Sequence, residues 1–541
     1  MTDYRIGVDV GGTNTDAVLM QGRTVVAALK MPTTEDIGQG LADAIRELLR
    51  TSGIAAAHVG SVMVGTTQFI NAFLQRKNLS EVAVIRLSMP KTDGVPPMLA
   101  WPDDVKLAVG DHVYMALGGA LYTGALYREP DADELRAIAS DIRAKGIPSV
   151  AITSNFAPIR PDIEQRAAGI LRESLGPNVE ITLSADIGGM GLIDRENATI
   201  VNASLRLFSR RAIQSMERAF HSLGLDAPLY ISQNDGTLIS TETASAYPIF
   251  TCAAGPTNSI RGAAFLTGID DALVVDVGGT TSDIGVLVRG FPRETALPNE
   301  IGGVRTNFRM PDILSIAIGG GSMVGGSADA VSVGPESVGY RIRQEALIFG
   351  GSTLTATDIA VRCGRAQVGE PARVGHVDEA LARAAMQRIT EDVECAIDRM
   401  RTSDVPLPVI LVGGGSVLLP DTLRGASCVI RPENAGVANA IGAAIAQVSG
   451  RVDRLYDFAG LGREAALAQA RQDAADDAVA CGADAASVEI IEIVELPMTH
   501  MNVGSVRVKV RAVGYLVGLG LELSEATKPV EPAESVQEQT C

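Results

Sequence analysis

The stretch VDVGGTNTD at residues 8–16 returns almost unchanged as VDVGGTTSD at residues 275–283. An apolar, β-prone run precedes each copy and another follows it, at 5–8 and 17–19 for the first copy and at 273–275 and 284–288 for the second. Apolar runs separated by a Gly-Gly segment predict a strand, a tight turn and a second strand. Two such units at distant points of one chain predict two duplicated lobes.

Both turns contain residue types that suit a nucleotide phosphate. Glycine lets backbone N–H groups approach phosphate oxygens without a Cβ in the way, which predicts such contacts at Gly11, Gly12, Gly278 and Gly279. Hydroxyl groups can donate to the same oxygens from Thr13, Thr15, Thr280, Thr281 and Ser282. Asp9 and Asp276, at the strand ends, can hold magnesium through its water shell. One such turn alone is compatible with an ordinary β-turn, but two near-identical copies favour one nucleotide site.

Two further glycine-containing segments are candidates for the same site. The segment Gly65-Thr66-Thr67 follows an apolar strand and is predicted to contact substrate or phosphate, with a helix cap as the alternative. The segment Gly413-Gly414-Gly415 also follows a buried strand and is predicted to pack against adenosine, with a simple backbone turn as the alternative. Asp358 is compatible with a carboxylate that only stabilises a helix N-terminus.

Composition narrows the class of protein. The 541 residues carry 46 Lys plus Arg and 64 Asp plus Glu, and the resulting net charge of −18 disfavours nucleic acid and anionic membranes as partners. Six cysteines without a Cys-x-x-Cys pair, together with five single histidines, indicate neither a zinc site nor a disulfide framework. No apolar run is long enough to span a bilayer, and the first residues lack the pattern of a signal peptide. These features predict a cytoplasmic protein.

Hydrophobic periodicity places further elements along the chain. Helices are predicted at 41–49, 134–144, 197–223, 435–448 and 464–480. Strands are predicted at 82–85, 149–152, 229–231, 409–412, 488–494 and 506–513.

Beyond the two turns, several short stretches resemble the hydantoinase A and 5-oxoprolinase group of the acetate and sugar kinase/Hsp70/actin superfamily. They are GTT at 65–67, NAFLQR at 71–76, VNA at 201–203, SQNDG at 232–236, AGP at 254–256, GGGS at 319–322, VGPES at 333–337 and TDI at 357–359. The resemblance covers roughly residues 1–450. Val64 and Asn14 depart from the His and Phe that longer members have at these places, and the chain resembles the compact hydantoinase A-like proteins.

The resemblance implies an ATP- and Mg²⁺-dependent hydrolase of a small cyclic amide or related carbonyl, such as a hydantoin, lactam or 5-oxoproline-like ring. The γ-phosphoryl group would pass to the amide or enolate oxygen. Asp276 or Asp283 would orient magnesium or accept a proton, and Asp9 and Asp16 would do the same from the opposite lobe. The resemblance is also compatible with a second hydrolase subunit, to whose reaction this chain would contribute the phosphorylation step. A homo-oligomer is compatible with it as well. A small-molecule kinase and an ATP-driven switch like actin or Hsp70 are the rivals.

The predicted fold is therefore α/β, with two actin-like (ribonuclease H-like) lobes around a nucleotide cleft and a small C-terminal α/β appendage. The expected domains are lobe I at 1–195, lobe II with linking helices at 196–450 and a C-terminal domain at 451–524. A polar, acidic segment at 525–541 is expected to be a disordered tail.

Overall fold

A computed structural model describes residues 4–34, 37–90, 92, 94–295, 299–497 and 505–517. The tail expected at 525–541 and the end of the expected C-terminal domain lie outside these ranges. The helices are α1 Ile37–Ser52, α2 Gln68–Leu74, α3 Asp103–Val109, α4 Ala132–Lys145, α5 Pro161–Leu175, α6 Leu192–Ser222, α7 Thr241–Ala246, α8 Ala254–Thr267, α9 Ile342–Glu345, α10 Ala356–Arg362, α11 Glu379–Met400, α12 Ala438–Ala444, α13 Phe458–Leu461 and α14 Arg463–Ala480.

The strands of the first half are β1 Tyr4–Val10, β2 Asn14–Gln21, β3 Thr24–Pro32, β4 Val59–Thr66, β5 Val82–Met89, β6 His112–Leu117, β7 Gly119–Ala120, β8 Leu126–Arg128, β9 Ser149–Ser154, β10 Glu180–Leu183, β11 Leu229–Ser232 and β12 Leu238–Ser240. Those of the second half are β13 Ala272–Val277, β14 Ser282–Val288, β15 Phe291–Pro292, β16 Asn299–Ile301, β17 Val304–Thr306, β18 Ile313–Ile316, β19 Ser322–Ser327, β20 Ala330–Ser337, β21 Leu407–Val412, β22 Ala426–Ile430, β23 Val448–Asp457, β24 Glu489–Pro497 and β25 Ser505–Gly514.

The same strand order occurs in two sheets, as the repeat in the sequence predicts. In the first sheet, β3, β2 and β1 form an antiparallel meander, and β4 and β11 then follow parallel to β1. In another sheet, β15, β14 and β13 form the meander, and β21 and β22 follow parallel to β13. This repeated arrangement confirms the expected pair of actin-like lobes. A four-stranded sheet of β10, β9, β5 and β6 is formed by the chain between β4 and β11.

Helices α8 and α12 lie between the two lobe sheets. Helix α12 packs on the first sheet through a cluster that includes Val18, Ile441 and Ala444, and α8 packs on the other sheet through one that includes Ile260 and Val274. The two helices approach each other closely, because Cβ atoms added at 262 and 442 would run into backbone carbonyls of the opposite helix. The far faces of the sheets are covered by α1 and α6 in one lobe and by α10 and α11 in the other.

The C-terminal strands belong to the first sheet. Strand β23 pairs with β12 at Val448 and Leu238, and β25 and β24 follow in the order β24-β25-β23-β12. Strand pairing therefore crosses the expected boundaries at 195 and 450, since β11, β12 and β23 complete the sheet that β1 begins. As limits of independent domains, the ranges 1–195, 196–450 and 451–524 stay predictions.

One predicted helix is much shorter than expected. The small-residue run at 435–448 forms a 3-10 turn at Ala435–Val437 and the α-helix Ala438–Ala444, and Val448 already begins β23. Val448 pairs with both β12 and β25, so tertiary pairing overrides the helical preference of the small residues. Within the described ranges, no helix is long and apolar enough to cross a membrane.

Candidate active site

The two repeated turns have the same geometry. Gly11 N–H donates to the Asn14 carbonyl at 3.0 Å, and Gly278 N–H donates to the Thr281 carbonyl at 2.9 Å. In the strands that these turns connect, Asp9 lies opposite Asp16 and Asp276 lies opposite Asp283. The same local sequence thus places a pair of carboxylates at the base of each turn.

The fold brings the two turns into contact. A Cβ at Gly279 would lie 3.1 Å from the Thr13 hydroxyl of the other turn. Thr280 and Thr281 are exposed, whereas Thr15 is buried and its hydroxyl lies 3.4 Å from that of Thr33. The expected juxtaposition of the two loops is therefore present, with their tips in contact where the lobes meet.

Some of the predicted donors are already used by the fold. Because the N–H groups of Gly11 and Gly278 close their own turns, Gly12 and Gly279 remain as the glycine donors outside those turn bonds. The prediction for Ser282 is wrong, since its hydroxyl is buried and donates to the Ile318 carbonyl at 2.7 Å.

Asp9 and Asp16 are held by residues that the sequence analysis did not identify. The Asn439 side-chain N–H group donates to Asp9 Oδ2 and to Asp16 Oδ2, both at 3.0 Å, and Lys30 Nζ lies 2.5 Å from Asp16 Oδ1. Asn439 belongs to α12, and a polar residue within an otherwise apolar small-residue run was the available signal. These contacts fix the carboxylates of the first lobe at its face toward the cleft.

The pKa of Asp9 is raised well above its usual value. Its side chain is 5% exposed, and burial, followed by the charges of Asp16 and Asp276, raises the pKa of Asp9 to about 7. Its Oδ1 atom is buried and has no hydrogen-bond partner among the described residues. A buried carboxylate oxygen without a donor is costly, so this atom is suited to binding a cation or a water molecule.

The second lobe holds its aspartates with serine hydroxyls. Ser259 at α8 donates to Asp276 Oδ2, and Ser315 on β18 donates to Asp283 Oδ1 at 2.5 Å. Burial is the main cause that raises the pKa of Asp276, and it raises the pKa of Asp283 to about 6. Four carboxylates with raised pKa values, two from each lobe, therefore lie near one another where the lobes meet.

The segment Gly65-Thr66-Thr67 lies beside Asp9. Gly65 pairs with Asp9 across β1 and β4, and a Cβ there would come within 2.5 Å of Asp9 Oδ1 and would collide with Asn258. Asn258 is buried, and neither of its side-chain polar atoms has a described partner. The hydroxyl of Thr66 accepts from Gln68 N–H at 3.3 Å, and Thr67 is the N-cap residue of α2 without a side-chain cap bond. The segment thus combines proximity to the site with the start of a helix.

The three glycines at 413–415 have different surroundings. Gly413 has φ +82°, and a Cβ there would collide with Asp276 Oδ1 and lie 2.5 Å from the Val277 carbonyl oxygen. Gly415 packs against the same backbone, whereas a Cβ at Gly414 would meet nothing within 4 Å. The backbone-turn interpretation therefore accounts for Gly413 and Gly415, and Gly414 is the member with open space beside it.

The GGGS segment at 319–322 is connected to the second turn by hydrogen bonds, and the TDI segment at 357–359 is connected in the same way to the GGGS segment. Gly320 and Gly321 N–H groups donate to the carbonyls of Gly278 and Gly279 at 3.0 and 2.7 Å, and the Thr357 hydroxyl donates to Gly320 O at 2.7 Å. Asp358 forms a capping box with Thr355, which agrees with its interpretation as a helix N-terminal carboxylate. In the described part of the chain, no group of three or more His, Cys, Asp or Glu is arranged to hold a metal ion.

Family models match both halves of the chain. One, described as the hydantoinase/oxoprolinase N-terminal region, matches residues 5–175, and another, described as hydantoinase/oxoprolinase, matches residues 195–404. The two matches take in most of the chain and include both copies of the repeated turn.

Curated relatives are longer than this chain. It is 25% identical to the caprolactamase subunit alpha of Pseudomonas jessenii over 429 residues. This alignment covers 75% of this chain and 61% of that protein. It is 23% identical over 396 residues to the acetophenone carboxylase gamma subunit of Aromatoleum aromaticum, which covers 66% of this chain and 53% of that protein. The chain thus spans less than two thirds of either relative.

A solved structure has the same fold. The crystal structure of the ATP-dependent caprolactamase from Pseudomonas jessenii superposes with a TM-score of 0.76 at 20% identity, over 96% of this chain and 88% of that one. At 96% coverage, the shared fold takes in nearly the whole of this chain.

Proposed function

The chain belongs to the hydantoinase/oxoprolinase family, and from this membership we propose that it is an ATP-dependent hydrolase of a small cyclic amide, or the phosphorylating subunit of one. The observation that carries the proposal is the pair of matching turns. They present Asp9 with Asp16 and Asp276 with Asp283 to one cleft, with the turn tips in contact at Thr13 and Gly279. Two such turns can hold the phosphates of one nucleotide between the lobes.

Magnesium fits the donor set of this cleft. Asp9 Oδ1 has no described hydrogen-bond partner, and the charge of Asp276 contributes to the raised pKa of Asp9. A divalent cation would relieve both penalties, because it supplies positive charge beside two carboxylates and retains most of its water ligands. Asp9 and Asp276 are therefore the proposed magnesium-holding residues, directly or through water.

The remaining residues have positioning roles in this proposal. Thr13, Thr280 and Thr281 would donate hydroxyl hydrogens to phosphate oxygens, together with the N–H groups of Gly12 and Gly279. ATP would supply the phosphoryl group that makes the oxygen of a stable amide into a leaving group. Asp283, whose pKa is raised to about 6 by burial, could hold or release a proton near neutral pH.

A partner subunit is also proposed. Two of the curated relatives are named as subunits, alpha in one case and gamma in the other. The recognisable motifs of this chain concern the nucleotide, and none resembles a dedicated hydrolytic centre such as His-Glu-x-x-His or Gly-x-Ser-x-Gly. A second protein could therefore supply the water that opens the activated ring.

The proposal is tested by measuring ADP release from the purified protein in the presence of Mg²⁺, ATP and a panel of lactams, hydantoins and imides. At least one cyclic amide should stimulate ADP release, and Asp9→Asn and Asp276→Asn should each reduce the stimulated rate by about a hundredfold or more. Asp226→Asn, which changes an exposed carboxylate, is the matched control.

Full turnover in either folded active-site variant would contradict the roles of Asp9 and Asp276. A stable phosphorylated product with no ring opening, even with the partner present, would indicate a kinase. ADP release that responds only to a protein would indicate a switch.

A further inference from the structure

Asn258 on helix α8 is a buried polar side chain to which the proposed function gives no role. It has no exposed surface, and neither its side-chain nitrogen nor its side-chain oxygen has a hydrogen-bond partner among the described residues. Buried polar groups are almost always hydrogen-bonded, either to protein or to an ordered water molecule. The surroundings of Asn258 therefore indicate what it binds.

Asn258 and Asp9 border the same small space. A Cβ at Gly65 would lie 2.5 Å from Asp9 Oδ1 and would collide with Asn258 Nδ2. The two polar groups thus lie on either side of the position that a side chain at residue 65 would fill, and no direct hydrogen bond joins them. Glycine at this position leaves room for an atom that contacts both groups.

A third polar group without a described partner lies in the same layer. Ile231 of β11 pairs with Val64 of β4, so Ser232 comes next to Gly65 in the parallel register. Ile231 packs into the core on the far face of the sheet, and side chains alternate along a strand, so Ser232 points to the face that α8 covers. Its hydroxyl is buried and unpaired among the described residues. The layer between the first sheet and α8 thus holds unpaired polar atoms from β1, β11 and the helix.

The polarity of these groups favours a water molecule over a metal ion. Asn258 presents its N–H group to the space beside Gly65, and Asp9 presents a carboxylate oxygen. A water molecule can accept a hydrogen bond from the first group and donate one to the second. A metal ion in the same place would lie against the positive end of the amide dipole.

Such a water molecule would hold the second oxygen of Asp9. The first, Oδ2, already accepts a hydrogen bond from Asn439 on α12. With water from Asn258 on Oδ1, the carboxylate would be held from both helices that lie between the lobes. Ser259, the next residue of α8, donates to Asp276 in the other lobe. Neighbouring side chains of α8 would therefore position one aspartate in each lobe.

We propose that one buried water molecule bridges Asn258 Nδ2 and Asp9 Oδ1, and that Asn258 is thereby a positioning residue for the carboxylate of Asp9. The water site rests on the geometry alone, whereas its effect on magnesium rests on the proposed function. A carboxylate that is held in one orientation loses less conformational freedom when magnesium binds to it with its water shell.

A crystal structure of the unmodified protein without nucleotide, at a resolution that shows ordered water, tests the site directly. We expect one water oxygen at about 2.7–3.2 Å from both Asn258 Nδ2 and Asp9 Oδ1. A dry contact, a direct hydrogen bond between the two side chains or a metal ion in this place would each overturn the proposal.

Thermal unfolding at pH 8 without nucleotide tests the bridge through the sign of an effect. Asn258→Leu has a similar volume. In a dry layer it would remove an unpaired polar group and raise the thermal midpoint. With the bridge present it leaves Asp9 Oδ1 without a donor, so we expect the midpoint to fall by about 1–3 °C.

Two further variants show whether the hydrogen-bonding group is the cause. Asn258→Ser keeps a hydroxyl donor and leaves room for one more water molecule, so it should recover most of the loss. Asn178→Leu changes an exposed asparagine and should leave the midpoint unchanged. A rise in Asn258→Leu, or an equal loss in the leucine and serine variants at position 258, would contradict the bridge.

Equilibrium titration with ADP, in Mg²⁺ and in EDTA, tests the effect on Asp9. Asn258→Leu should reduce the gain in ADP affinity that Mg²⁺ provides by about tenfold and leave the affinity in EDTA unchanged, whereas Asn258→Ser and Asn178→Leu should keep the gain. An equal loss of affinity in both conditions would overturn the positioning role. If the unmodified protein shows the water molecule but binds no nucleotide, the proposed function is contradicted and the water site stands.

Discussion

At the scale of single residues, Asp9 combines burial, two neighbouring carboxylates and an oxygen without a described donor. Such a side chain is costly to keep ionised unless a cation is present. A buried carboxylate whose ionised form a cation would relieve is typical of a functional position.

The pH dependence of stability should reveal this cost. The pKa of Asp9 is raised from 3.8 to about 7, so between these values the folded protein keeps a proton that the unfolded chain has released. The stabilising effect of that proton is complete below pH 3.8 and is lost as the pH rises through 7. Without nucleotide and Mg²⁺, Asp9→Asn should raise the thermal midpoint at pH 8 by about 2–4 °C and flatten its dependence on pH.

Scanning calorimetry from pH 5 to pH 8 measures this effect. Asp226→Asn, at an exposed position, should retain the slope of the unmodified protein. A lower midpoint at pH 8 in Asp9→Asn would mean that Asp9 stabilises the empty cleft.

The sequence predicted some residues of the candidate site and not others, for a physical reason. Asp9 and Asp276 were predictable because each lies in a short string whose strand, glycines and carboxylate together specify one local structure. Asn439, Ser259 and Ser315 were not, since each reaches its aspartate from a distant segment and forms no local pattern with it. Only the folded chain shows which polar residues meet.

At the scale of elements, the turn after β21 separates two kinds of glycine. Gly413 has a positive φ and no room for a Cβ, whereas Gly414 faces open space. The sequence predicted the turn itself, but three identical letters could not indicate which glycine the backbone requires.

Alanine substitutions at these two positions should therefore differ. Gly413→Ala should lower the free energy of unfolding by about 1–3 kcal/mol, because it strains the backbone and pushes against Asp276. Gly414→Ala should leave stability nearly unchanged, and it should weaken ATP binding if Gly414 lies against the nucleotide. Urea unfolding and fluorescent-nucleotide titration measure the two effects. Equal loss of stability in both variants would contradict the structural distinction.

At the scale of the whole molecule, the lobes are joined by α8 and α12, which also hold Ser259 and Asn439 against the aspartates. The sequence predicted both lobes from the repeat. It did not predict that the strands after residue 450 would complete the first sheet, because the sequence of a short strand does not indicate which distant strand it pairs with.

The proposed two-component activity is a property of this whole assembly. The isolated chain should turn over ATP weakly, and a co-purifying or gene-neighbouring protein should raise substrate-dependent ADP release by about tenfold or more. Steady-state ADP release, measured with the chain alone, with the partner alone and with both, tests this expectation. Conversion of a cyclic amide to its open-chain acid by this chain alone, with one ADP per ring and no stimulation by the partner, would contradict it.

Because β23 follows β12 only much later in the sequence, β12 lacks this partner strand during much of synthesis. During synthesis, β12 leaves the ribosome long before β23 exists, so its edge of the first sheet stays unpaired while more than two hundred further residues are added. An open edge on a nascent chain can pair with a neighbouring chain. Chaperones that shield emerging β-strands should therefore matter more for the yield of this protein than its folded stability alone suggests.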